Sequence, residues 1–128
     1  MINTVAAVFG SLYFLAGVLG FIIMPKGGMF MGIFAVNWFH HVFHLVLGGL
    51  GLVAAWRNKG RLFCQVSGGV LILLGILGVI VPGLVVTLLA IPPADLVTDN
   101  LLHLVTGFPL IYFGFLSRPA STPEDKSR

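Results

Sequence analysis

Charge is the scarcest commodity in this chain: seven Lys and Arg and four Asp and Glu make up 9% of 128 residues, against roughly 25% in a soluble domain. That shortage excludes an ordinary water-facing surface, and with 58% hydrophobic residues it implies a protein whose solvent is the bilayer. Cysteine is nearly absent as well; the single Cys64 rules out an internal disulfide and reads as packing, with acylation a remote second reading. No Ser or Cys stands at helical spacing beside a histidine, and no paired carboxylates fall within an apolar segment. There is also no phosphate-cradling loop with a lysine. These absences remove the usual parts of a side-chain-only catalyst, so the expectation is a protein that is not an enzyme.

What is abundant is apolar length and glycine. A spanning helix needs about 20 mostly apolar residues, and four stretches qualify, near 4–24, 37–56, 62–81 and 100–117. Many of the 17 glycines lie inside those stretches. Each costs about 1 kcal/mol relative to alanine in a water-exposed helix, so their presence predicts close helix packing of the small-xxx-small kind. The opening residues Met-Ile-Asn-Thr-Val lack a basic n-region, and the first apolar run continues to Pro25; it reads as a retained helix.

The glycines also repeat. Gly10, Gly17 and Gly20 before Pro25 return as Gly68, Gly75 and Gly78 before Pro82, and His44-Leu-Val-Leu-Gly48 returns as His103-Leu-Val-Thr-Gly107. The expected fold is therefore all-α: an integral membrane four-helix bundle of two tandem parallel helical-hairpin repeats, about 1–58 and 59–117. Residues 118–128, with Pro119, Pro123 and several charges, form a polar tail with nothing to bury.

Basic residues fall on one side of this plan. Arg57, Lys59 and Arg61 join helices 2 and 3, Arg118, Lys126 and Arg128 follow helix 4, and the other connections hold only Lys26. The positive-inside rule then makes both termini cytoplasmic, and the same placement explains the net charge of +3 without nucleic acid. The partners implied are the lipid bilayer and either membrane-protein subunits or a second copy. Segments 28–36 and 83–91 are apolar but too short to span; they are expected to lie along the interface or fold over the mouth of the bundle.

Polar residues converge on one region. At 100° per residue, Asn37, His40, His41, His44, Gly48 and Gly51 share one face of helix 2, and Asp99, Asn100, His103 and Gly107 share one face of helix 4. Asn37 and Asp99 or Asn100 are the candidate N-caps. Trp38 and Trp56, at the two ends of helix 2, read as interfacial anchors.

The run Phe34-Ala-Val-Asn37-Trp-Phe-His40-His41-Val-Phe-His44-Leu-Val-Leu-Gly48, with Asp99-Asn100-Leu-Leu-His103-Leu-Val-Thr-Gly107, resembles the bacterial four-helix membrane proteins catalogued as domain of unknown function 4383. The resemblance covers nearly the whole chain and implies the fold and a bacterial cytoplasmic or photosynthetic membrane, with no activity attached. The usual family pattern has Asn at the position of His41.

Three readings of the histidines are open at this stage. In the first, they and the polar cluster Asn37, Asp99 and Asn100 are interhelical hydrogen-bonding groups in an accessory or structural subunit of a larger membrane complex. In the second, His44 and His103 are axial ligands of a b-type haem or chlorophyll, with Gly48 and Gly107 as flat notches for the macrocycle. In the third, His40, His41, His44 and His103 hold a Zn or Cu ion, helped by Asp99.

Overall fold

The computed structural model describes residues 1–31, 34–89 and 96–117. Helix α1 runs Ile2–Ile23, a short hairpin follows with strands β1 (Gly28–Phe30) and β2 (Phe34–Val36), and α2 covers Trp38–Trp56. Then come α3 (Gly60–Ile80), the short α4 (Pro82–Leu89) and α5 (Leu96–Ile111), which continues as one π-helical turn over Tyr112–Leu116. Four of these segments, of 22, 19, 21 and 21 residues, are long and apolar enough to cross a membrane. At 1.5 Å per residue they match a hydrocarbon core about 30 Å thick.

Local chemistry sets the ends. The Asn37 side chain accepts a hydrogen bond from the His40 backbone N–H at 3.0 Å and so caps α2. At the far end of α2, Asn58 takes a left-handed φ of 56°. The Lys59 N–H then reaches the Ala54 carbonyl at 2.7 Å and the Asn58 N–H the Ala55 carbonyl at 3.3 Å, which closes a Schellman motif. Pro82 opens α4, where its missing N–H costs nothing. Asp99 and Asn100 do not cap a helix: α5 begins at Leu96, so both lie inside its first turns. Asp99 there still faces the positive end of the helix dipole.

The bundle is assembled from two tightly packed pairs, α1 with α2 and α3 with α5, with α1 and α3 meeting between them. The glycines make both pairs. A Cβ on Gly10 would stand 2.8 Å from the Leu52 nitrogen and 3.0 Å from the Gly48 carbonyl oxygen; one on Gly68 would stand 2.8 Å from the Ile111 nitrogen and 3.0 Å from the Gly107 oxygen. Gly17 lies under Leu45 and the His41 carbonyl, Gly75 under Leu104 and the Asn100 carbonyl. The backbones approach until no side chain fits between them, which in lipid is where van der Waals attraction between helices is won.

Ala6, Leu47, Phe63, Cys64, Leu71 and Leu110 form the main buried cluster, while Val85 of α4 packs on Leu96 in a smaller one. Large apolar side chains such as Leu12, Ile22, Val46, Val66, Val79 and Phe108 are exposed, as they must be to meet lipid.

Two connections differ from a plain helical reading. Segment 28–36 includes an antiparallel ladder with Gly28 opposite Val36 and Phe30 opposite Phe34. Gly27 at φ 78° and Met31 at φ 54° turn its chain. Segment 83–91 contributes most of α4. Residues 118–128 and the Pro92-Pro93 stop lie outside the described residues.

Candidate functional site

The polar stripe of α2 and that of α5 meet at the end of the bundle opposite the 57–61 turn. His40 Nε2 is 3.1 Å from Asp99 Oδ1, a buried hydrogen bond between the two helix pairs. His103, one turn beyond Asp99 on α5, brings Nδ1 to 3.6 Å from Asp99 Oδ2; that is ion-pair range but too long for a hydrogen bond. One carboxylate is thus shared by two imidazoles, and all three residues are 9% exposed or less. A buried carboxylate is tolerated when paired in this way.

His44 stands at the edge of this triad. Its ring lies 5.9 Å from that of His40, nearly perpendicular, and 5.4 Å from the ring of Tyr13 on α1. His41, by contrast, points to the other side of α2: its Nε2 donates to the Met24 carbonyl at 3.0 Å, and its ring meets Phe21 edge-on at 5.1 Å. The four histidines therefore do not converge on one point. Among the described residues no group of three or more His, Cys, Asp or Glu side chains has the geometry to hold a metal ion. His41 instead ties α2 to the end of α1, apart from His40, His44 and His103.

His41 and Asn100 fill matching places. The ring of His41 lies directly over Gly20, and the amide of Asn100 directly over Gly78, each so close that a Cβ on the glycine would overlap it. Gly48 and Gly107 are filled as well, Gly48 by the backbone of Phe14 and Gly107 by Ile72, whose Cγ1 would lie 2.8 Å from an added Cβ. Both glycines face α1 and α3, so neither leaves a slot for a macrocycle in this conformation.

A crevice lined by Phe39, His40, Phe43, Leu74 and His103 lies beside the triad. Its interior is about 10 Å³, the size of one water molecule; counted with its open mouth, the space reaches about 220 Å³.

The family model described as Domain of unknown function (DUF4383) matches residues 3–116. The chain belongs to this family. No curated protein and no solved structure matches it. The DUF4383 match spans all four membrane-crossing helices and every residue of the His40, Asp99 and His103 cluster. Since the family description carries no activity, what this DUF4383 chain does is a question for the cluster itself.

Two features of this DUF4383 chain went unread in its sequence. The first is the direct contact of His40 with Asp99; the signal was present, because they are 59 positions apart, the spacing that also separates His44 from His103. The second is at the basic end, where Arg61 donates to the carbonyls of Gly114 and Ser117 at 3.0 and 2.9 Å and Gln65 donates to Gly114 at 3.0 Å. Arg61 is therefore the C-terminal cap of the last span.

Proposed function

We propose that this chain is a small, non-enzymatic integral membrane protein that serves as a structural or accessory subunit of a larger membrane complex, with the His40, Asp99 and His103 cluster as its internal lock. The observation that carries the reading is the 3.1 Å link between His40 and Asp99. It joins two helix pairs that otherwise meet chiefly through α1 and α3. His40 Nε2 and Asp99 Oδ1 are spent on one another, which suits an interhelical role. The exposed apolar flanks of α2 and α5, including Val46, Val53, Val105 and Phe108, suit lipid or a neighbouring subunit. The basic turn at Arg57, Lys59 and Arg61 supports, through the positive-inside rule, an orientation with that end and both termini in the cytoplasm.

The test is gentle solubilisation from the native membrane, followed by native gel electrophoresis and an absorption spectrum before and after dithionite. The structural reading expects co-migration with larger membrane proteins and no visible chromophore. A Soret band or a red pigment band that disappears in His44→Ala or His103→Ala would replace it with tetrapyrrole ligation by those two histidines.

A further inference from the structure

The crevice beside the triad has a composition that structural linkage does not require. Phe39 and Phe43 are stacked with centroids 6.4 Å apart and planes 22° from parallel, and with Leu74 they make an apolar wall. The polar members are His40 and His103, at least nine-tenths buried. His40 Nδ1 and His103 Nδ1 have no hydrogen-bond partner among the described residues, nor do Asp99 Oδ2 and Asn100 Oδ1. Orphaned polar atoms at that depth each cost roughly 1–3 kcal/mol, and the two that belong to His40 and His103, which line the crevice, mark a place for a ligand.

The chemistry of that ligand follows from the lining. Phe39 in that lining and the neighbouring Trp38, in the first turn of α2, are 42% and 62% exposed on a helix apolar enough to cross a membrane, which suits entry from the membrane. An anion is disfavoured by the Asp99 carboxylate, and no Lys or Arg lines the crevice to offset it. A lipophilic cation would find the carboxylate already shared by two imidazoles. A purely apolar molecule would leave the orphaned nitrogens unmet. What fits is a neutral planar ring that packs against phenylalanines and carries oxygen at its edge. Imidazole can donate to a carbonyl or accept from a hydroxyl according to its tautomer, so both states of such an oxygen are accommodated.

We propose that the crevice between α2, α3 and α5 binds the head group of a membrane-dissolved quinone or its quinol, with the ring against Phe39 and Phe43 and an oxygen hydrogen-bonded to His40 or His103. Because the interior is only one water in size, Phe39 at the rim swings outward on binding. This is independent of the subunit role above and fails or stands without it.

The experiment uses the full chain in phospholipid nanodiscs titrated with decylubiquinone, read by tryptophan fluorescence. The chain has two tryptophans, at opposite ends of α2, so Trp56→Phe reports from the crevice end and Trp38→Phe reports quinone dissolved in the lipid. The expected result is quenching of Trp38 that saturates at one quinone per chain, while quenching of Trp56 rises linearly. His103→Leu weakens the saturable phase about tenfold, the worth of one hydrogen bond to a buried group. Leu74→Trp, which fills the crevice and leaves the triad in place, abolishes it. Linear quenching at both tryptophans overturns the proposal, as does saturable quenching indifferent to Leu74→Trp. Equal displacement by decylbenzene or by tetraphenylphosphonium overturns it too, the first by removing the hydrogen bond and the second by making the ligand a cation.

Discussion

His40 Nε2 and Asp99 Oδ1 lie 3.1 Å apart and 59 positions apart, so a buried hydrogen bond ties the α1 and α2 pair to the α3 and α5 pair.

That link predicts a large and non-additive cost. Asp99→Leu leaves His40 without its partner, and a buried polar group left unsatisfied costs about 1–3 kcal/mol. The double variant His40→Leu with Asp99→Leu is expected to lose less than the sum of the single variants, by about 0.5–3 kcal/mol. Unfolding in mixed micelles with increasing SDS, followed by circular dichroism, measures all three. Additive losses would show that the two residues act separately.

The glycines divide into those that carry packing and those that do not. Gly48→Ala drives a methyl group into the backbone of Phe14, and Gly68→Ala drives one into Ile111, whereas Gly49 and Gly69 have nothing within 4 Å. The first two changes are expected to destabilise by about 1–3 kcal/mol. Gly49→Ala and Gly69→Ala remain neutral or gain a few tenths from helix propensity. Thermal unfolding in one detergent is sufficient to separate the sets, and four similar melting temperatures would contradict it.

His41 and Asn100 cover Gly20 and Gly78 in the same way, so His41→Asn is expected to keep the fold. It gives up the bond to the Met24 carbonyl, about 0.5–1.5 kcal/mol. Gly20→Val, by contrast, collides with the ring and prevents the α1 to α2 packing. Gel-filtration profiles and helical content of the two variants make the comparison; a folded Gly20→Val would refute it.

At the basic end, Arg61→Met removes the donor to Gly114 and Ser117. Amide exchange is expected to rise at residues 112–117 while α1 and α2 stay protected. Uniform acceleration along the whole chain would mean that Arg61 supports the global fold rather than the end of the last span.

The orientation is open to chemical labelling. In a Cys64→Ser background, Asn58→Cys is expected to react with impermeant maleimide only from the cytoplasmic face and Met31→Cys only from the outer face. The reverse pattern would invert the topology inferred from the basic residues.

Much of this was legible in the residues themselves. Scarce charge and four apolar runs near 20 residues determined a membrane bundle, because the bilayer admits only a closed backbone ladder of that length. The recurrent glycines determined that helices would touch, and the position of Asn37 determined how α2 begins. The order of touching was another matter. Periodicity assigns a residue to a face and says nothing of the neighbour across it, so only the tertiary structure decided that Gly48 and Gly107 are filled by α1 and α3, that His41 turns away to Met24, and that Asp99 reaches His40. Those choices depend on which helix pairs pack first and how deeply, a balance of backbone approach against buried polar contact summed over the whole bundle, and no single stretch of sequence contains that sum.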